Sequence, residues 1–246
     1  MPQLNFANAK RNSRPAPAGV ASHADCNACI FKPRCLPAEL SGEHLGHFER
    51  SVLRQVRPLK AGQPLVHQGD NMDALYSLRV GSLKGVINEP NGNEHVVGFR
   101  FPGTVIGLAE PEEQRWARTF VALEDTWVCR IPLASIDDAL RRQLVKLMSE
   151  RLRQEYTYHL TLAFKSGARK LAAFFVEISD SFSARGLSAH RFHLPMSYID
   201  VASYLGMRHE SVSRTLAKLQ DTGLLVKQGK FIQITNLEKF RQLTQE

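Results

Sequence analysis

The texture of the chain changes sharply near its middle, and that change dictates the architecture. From Arg57 to Pro132 short apolar runs are broken at close intervals by Gly62, Gly69-Asp70-Asn71, Gly81, Pro90-Asn91-Gly92-Asn93, Pro102-Gly103 and Gly107. Strand-like pieces such as Ala74–Val80 and Val96–Phe101 sit between these turns, which predicts an antiparallel barrel or sandwich with a hairpin at Asn91-Gly92. From Ile136 to about Phe164 the period becomes helical and holds, with Val145, Met148, Leu152, Glu155, His159 and Leu162 at three-four spacing. At 1.5 Å per residue such a helix runs about 40 Å. An apolar stripe of that length needs a partner. A second copy of the chain is the simplest, and packing on the chain's own barrel is the alternative.

Glu155 is the exception in that seam, one turn beyond Leu152 and one turn before His159. Facing its counterpart at about 5 Å, it would contribute repulsion of roughly 1 to 3 kcal/mol for an effective dielectric between 80 and 20. Dimerisation through this helix is therefore conditional. His159 offsets the repulsion only when protonated.

Beyond an amphipathic helix over Arg169–Phe182 and a short strand at Arg191–Leu194, the chain carries its clearest functional pattern. Ser197-Tyr198-Ile199-Asp200 reads as a capping box opening a helix through Leu205, because a serine hydroxyl and an acid three residues on can satisfy each other's backbone N–H. Gly206 supplies a turn, and a second helix runs from Arg208 or His209 to Asp221 with Val212, Leu216 and Leu219 inward. Two helices joined by so short a turn form a helix-turn-helix, whose second helix meets base edges in the major groove. Its outer face carries His209, Glu210, Ser213, Arg214 and Lys218. Arg214 can donate twice to guanine, Glu210 can accept from cytosine N4, and Ser213 can make a small polar contact. Residues 223–234 read as a two-stranded wing with Lys227 and Lys230 near phosphates. The net charge of +8 favours a polyanionic partner.

Three of the four cysteines, Cys26, Cys29 and Cys35, stand in the stretch Asp25–Leu36, and Cys129 lies in the predicted barrel. Four thiolates suit a soft metal centre, either zinc or an iron-sulfur cluster, and spacing alone leaves both open. A buried, inert Cys129 is a further possibility, since free cysteine is among the most buried residue types. The first residues carry no apolar secretory core and no run reaches 18 apolar residues, so the expectation is a cytoplasmic protein without a membrane span, where disulfides are disfavoured. The domain reading is a flexible tail over 1–22, the cysteine segment and a short helix over 23–56, the barrel over 57–134, the long helix over 135–165 and the DNA-binding unit over 166–246.

Taken together, these motifs from Cys26 to the C-terminus resemble the cyclic-AMP receptor/FNR family of bacterial transcription regulators. The resemblance implies an α+β chain with an N-terminal antiparallel β-roll, a long dimerisation helix and a C-terminal winged helix-turn-helix. FNR-type members share the Cys-x2-Cys-x5-Cys arrangement with one further cysteine in the β-roll. The resemblance thus implies Cys26, Cys29, Cys35 and Cys129 as ligands of an oxygen-labile [4Fe-4S] cluster. It also implies that Glu210, Ser213 and Arg214 read a TTGAT half-site within a TTGAT-N4-ATCAA palindrome on double-stranded DNA. Further implications are a homodimer controlled by Glu155, RNA polymerase as partner, and oxygen-responsive activation and repression. Cyclic-AMP-binding members carry a Gly-Glu pair and an Arg-Ser pair, where this chain has Gly103-Thr104 and Arg115-Trp116, so a cyclic nucleotide is not expected. Arg208 departs from the Thr often found before the recognition helix. The rival readings are the same regulator with zinc or haem, or an iron-sulfur redox protein. No phosphate loop or nucleophile-base pattern points to an enzyme.

Overall fold

The computed structural model describes residues 22–54, 58–109 and 114–245. Of the expected tail only Ser22 falls within it, and residues 55 and 56, the end of the expected cysteine segment and short helix, lie outside the described residues. Strands β1 (Ser22–His23), β2 (Leu53–Arg54), β3 (Pro64–Val66), β4 (Ala74–Val80), β5 (Leu83–Asn88), β6 (Glu94–Arg100), β7 (Val105–Ile106), β8 (Thr119–Ala122) and β9 (Trp127–Pro132) form two antiparallel sheets. One has the order β1-β2-β9-β4-β7 and the other β3-β8-β5-β6. They share a core that includes Leu75, Leu78, Leu83, Phe120, Val128 and Ile131. A helix α1 (Gly42–Ser51) plugs into it through Leu45 and Phe48.

The turns explain the strand ends. Between β4 and β5, Gly81 has φ +87°, and a Cβ there would lie 2.4 Å from Thr126 Oγ1, so no other residue fits without displacing the loop. The hairpin at the predicted place is longer than a two-residue turn. Gly92 N–H donates to the Glu89 carbonyl at 2.9 Å, which makes Pro90 and Asn91 the central pair and gives Gly92 the left-handed place after them. Burial along β9 does not alternate as the sequence pattern suggests. Val128 and Ile131 are buried while Trp127 and Cys129 are half-buried, and the register shifts at the end of the strand, where β4 bulges between Leu78 and Val80 opposite Val128 and Trp127.

The long helix α2 (Asp138–Ala163) is capped by Asp137, whose carboxylate accepts from the N–H groups of Ala139 and Leu140. Few of its side chains are buried. Val145, Met148, Leu152, Tyr156 and Leu160 form an exposed apolar stripe, each between 47% and 65% accessible. This stripe leaves the predicted seam after Leu152, since a straight helix with 3.6 residues per turn drifts from a seven-residue repeat by about 20° each heptad.

A second core joins helix α3 (Gly167–Ser183) to β10 (Arg191–His193), helices α4 (Tyr198–Leu205) and α5 (His209–Asp221), strands β11 (Leu225–Gln228) and β12 (Phe231–Ile234), and α6 (Leu237–Leu243). The sheet order β10-β12-β11 supplies the expected wing and a third strand behind it. Aromatic rings seat this unit on the β-roll: Tyr204 of α4 stacks on Tyr158 of α2 at 4.5 Å and meets Phe99 of β6 edge-on at 5.2 Å. Among the described residues no helix is long and apolar enough to cross a membrane.

Candidate metal centre and nucleic-acid interface

The cysteine segment is tied to the molecule by its backbone. Glu49 on α1 accepts from the Cys26 N–H at 2.7 Å, the Cys29 N–H donates to the Cys26 carbonyl at 3.2 Å, and the Cys35 N–H donates to the Lys32 carbonyl at 3.0 Å. The Cys35 thiol donates to Ser77 Oγ at 3.4 Å, and Ser77 is the cross-strand partner of Cys129. Cys35 and Cys129 therefore meet at the same rung of the β4-β9 ladder. Three of the thiols are held protonated by their surroundings. Burial, then Cys35, Glu49, Cys129 and Cys29, push Cys26 up to about 12. Burial pushes Cys129 up to about 11 against the lowering influence of Arg79. Burial raises Cys35 despite its bond to Ser77.

All four cysteines are free. Among the described residues no three His, Cys, Asp or Glu side chains stand close enough to one another to grip a metal ion. The donor set nevertheless fits a soft cation or an iron-sulfur cluster: thiols at one end of the β-roll, beside fully buried Leu36 and the barrel core. A metal would have to displace protons that burial holds on the sulfur atoms.

Two further contacts join this segment to α2 and to the end of α3, and neither was apparent in the sequence. Gln143 of α2 is 2% exposed and its Nε2 donates to the Cys35 carbonyl at 3.1 Å, while its buried Oε1 has no hydrogen-bond partner among the described residues. Arg34 donates to the carbonyl of Ala184, the residue closing α3. An amide in the middle of an amphipathic pattern and an arginine in a loop give no signal of a partner that lies 108 or 150 residues away.

Of the residues expected in the seam, Met148, Leu152 and His159 are exposed on α2. Glu155 is half-buried at the edge of the stripe and pairs with Arg151 one turn earlier.

In the helix-turn-helix, Ser197 Oγ accepts from the Asp200 N–H at 3.1 Å and Asp200 accepts from the Ser197 N–H at 3.0 Å, so the capping box is complete. Gly206 closes α4 at φ 58°, ψ 47°, the left-handed conformation that glycine adopts without strain. The turn packs close to α3: a Cβ on Gly167 would come within 2.7 Å of Met207 Cε. Val212, Leu216 and Leu219 bury the inner side of α5, leaving His209, Glu210, Ser213, Arg214 and Lys218 exposed together. His209 Nε2 lies 3.5 Å from Glu210 Oε1, and Arg214 Nη2 donates to Ser211 Oγ at 3.4 Å. Arg208 precedes α5 without a side-chain cap. On the wing, Lys227 Nζ sits 4.5 Å over the Tyr198 ring and Lys230 donates to the Pro195 carbonyl. A cationic, polar helix face beside a β-ribbon is suited to a DNA groove and its phosphates.

Residues 56–143 match the cyclic nucleotide-binding domain family and residues 169–243 the Crp-like helix-turn-helix domain family. The transcriptional activator protein FnrA of Stutzerimonas stutzeri is 35% identical over 217 residues, covering 86% of this chain and 88% of that protein. The chain belongs to the Crp/FNR family. The fumarate and nitrate reduction regulatory protein of Escherichia coli K12 is 32% identical over 231 residues, covering 92% of this chain and 91% of that protein. The structure of FixK2 from Bradyrhizobium japonicum has the same fold, with a TM-score of 0.68 at 24% identity over 76% of this chain and 94% of that one. As a Crp/FNR protein the chain is a DNA-binding transcription regulator and its chemistry is recognition, not turnover. The two pairs that depart from the cyclic-AMP pattern lie as follows. Gly103 has Phe31 Cδ1 3.0 Å from where a Cβ would be. Trp116 is buried between Tyr76 at 5.9 Å and Phe120 at 6.0 Å.

Proposed function

We propose that this Crp/FNR regulator responds to oxygen through a [4Fe-4S] cluster on Cys26, Cys29, Cys35 and Cys129, and binds a TTGAT-N4-ATCAA-like palindrome as a homodimer when oxygen is absent. The observation that carries the reading is the position of Cys35, joined to the Cys129 rung through Ser77 and to the long helix through Gln143. When bound, such a cluster supplies an oxygen-reactive, thiolate-held centre.

The chain's own residues do the rest. Holding the four sulfurs together fixes the Cys35 carbonyl against Gln143 and so fixes the start of α2. The stripe of Val145, Met148, Leu152, Tyr156 and Leu160 is the surface a second copy would cover. Glu155 opposes that pairing, and Arg151 beside it tempers the opposition. In the dimer two α5 helices lie about 34 Å apart, one turn of DNA, with Glu210, Ser213 and Arg214 turned to each half-site. RNA polymerase is the partner at promoters, in the cytoplasm, and no cyclic nucleotide is required. The similarity to FnrA and to the fumarate and nitrate reduction regulatory protein supports this reading.

Anaerobic purification tests it. A brown protein with about four irons and four sulfides per chain that bleaches in air is the expected result. Colourless protein with one zinc per chain overturns the cluster while leaving the DNA-binding assignment intact.

A further inference from the structure

A cleft of about 490 Å³ opens where the β-roll, α2 and the DNA-binding unit meet. Arg34, Arg100, Arg151, Arg153 and Arg185 line it, against the two acids Glu177 and Asp180. Asp180 is committed to Arg241 at 2.8 Å, which leaves Glu177, held by the Tyr204 hydroxyl at 3.2 Å, as the acid of the wall whose charge Arg100 and Arg151 feel without reaching ion-pair distance. Of the arginines, only Arg151 has an ion-pair partner among the described residues, Glu155.

Arg100 on β6 is 5% exposed and donates to its neighbouring Phe99 carbonyl at 2.9 Å, with no carboxylate of the described residues at ion-pair distance. Arg185, just past α3, donates through Nη2 to Thr104 at 3.3 Å, but its buried Nε and Nη1 have no hydrogen-bond partner among the described residues. Interior guanidinium groups are ordinarily matched by carboxylates or bound anions, because taking the charge out of water is unfavourable unless something compensates. Burial, then the like charges of Arg151 and Arg118, push Arg100 down to about 9 against the opposing influence of Glu155. Phe99, Phe101, Phe164 and Phe174 line the rest of the wall.

The geometry points to this cleft as a binding site for a small molecule that carries a multivalent oxyanion, phosphate or carboxylate, on an apolar body. Guanidinium forks from β6, α2 and the end of α3 match such an oxyanion, and the phenylalanines suit the body. Because the forks come from the sensor domain, the long helix and the DNA-binding unit, one bound anion fixes all three relative to one another. Val145, Met148 and Leu152 of the exposed stripe lie outside the cleft, and Leu160 at the stripe's far end borders it. Arg34 brings the cysteine segment to its edge, but no cysteine lines it, and the inference goes beyond the oxygen reading.

Calorimetric titration of the full-length chain with sodium pyrophosphate, and separately with citrate, at constant ionic strength is the test. Saturable binding of one molecule per chain is expected, with and without the cluster, weakened at least tenfold in Arg185→Gln and in Arg100→Met. Binding of pyrophosphate alone assigns a phosphate ligand, and of citrate alone a carboxylate. Absence of saturable binding by both probes overturns the site, as does either variant binding as tightly as the unmodified chain. Loss of binding in Arg214→Ala overturns it too, by moving the anion to the DNA face. Should Arg100→Met fail to fold, Arg185→Gln decides alone.

Discussion

Lys84 of β5 reaches across to Asp200 in the first turn of α4, with Nζ 2.8 Å from Oδ1. The same carboxylate closes the capping box on Ser197. One aspartate thus starts the first helix of the DNA-binding unit and fastens that unit to the β-roll. Burial alone would raise Asp200, but hydrogen bonds from Lys84 and Ser197 outweigh it and hold the carboxyl below its usual range. Burial alone would lower Lys84, but its bonds to Asp200 and Glu94 outweigh it and hold the ammonium above its usual range.

A carboxyl with a depressed folded pKa stabilises above the unfolded value, about 3.9, and that contribution is lost as pH falls through the folded value. The lysine term has the opposite sign and fades only as pH rises past about 10.4. Docking of the two domains should therefore hold across neutral pH and loosen below about pH 4. Lys84→Met should cost about 1 to 3 kcal/mol and remove most of that acid dependence, leaving only the part due to Ser197. Thermal unfolding of both proteins between pH 3 and 7 checks it. Parallel curves for the two would refute the bridge.

Local chemistry was legible in the sequence, and long-range docking was not. Ser197, Asp200 and Gly206 announced two helices and their turn because a capping box and a left-handed glycine act within a few residues. The buried faces of α5 and the strand texture followed from periodicity. Gln143 and Cys35, Lys84 and Asp200, or Tyr158 and Tyr204 are pairs of ordinary residues, separated by 46 or more positions, that only the folded chain brings together. The drift of the exposed stripe to Tyr156 is a third case, since a seam read with a seven-residue repeat cannot follow a straight helix.

Cys26 and Cys129 should be poor nucleophiles without a metal. With thiol values near 12 and 11 against about 8.5 when unfolded, both stay protonated through neutral pH. Groups whose folded pKa is raised stabilise fully below the unfolded value and lose that contribution as pH climbs toward 11 and 12. Iodoacetamide labelling of clusterless protein at pH 8, followed by mass spectrometry, should find both more than tenfold slower than a free cysteine. Rapid labelling of either would mean that the pocket around it is open.

Gln143→Leu separates coupling from stability. Replacing a buried amide that has one unmatched oxygen by an apolar group of similar size should change stability by less than about 1 kcal/mol. The link from Cys35 to α2 is lost all the same. On the proposed function, the variant should still take up the cluster while its DNA affinity no longer differs between anaerobic and air-exposed protein. A normal oxygen response in gel shifts would remove Gln143 from the coupling path.

On the recognition helix, Arg214→Ala should erase preference for the cognate half-site by about 1 to 3 kcal/mol, while Lys227→Ala weakens all sequences alike and lowers the salt slope. A competition assay in which Arg214→Ala still prefers the TTGAT half-site would displace α5 from the proposed docking.

Glu155→Ala should raise the association constant of clusterless protein by roughly 5- to 150-fold, following the 1 to 3 kcal/mol of like-charge repulsion between the two copies. The ion pair with Arg151 refines this expectation. Arg151 draws the carboxylate away from the stripe, so part of the repulsion is already screened within each chain, and the effect should fall toward the lower end. Arg151→Ala makes the opposite change, freeing Glu155 to swing toward the stripe, and should lower association. Sedimentation in air of the two variants beside the unmodified chain reads both shifts. Equal monomer fractions in all three would mean that Glu155 does not govern the pairing of α2, and that the cysteine segment acts on the dimer through Gln143 alone.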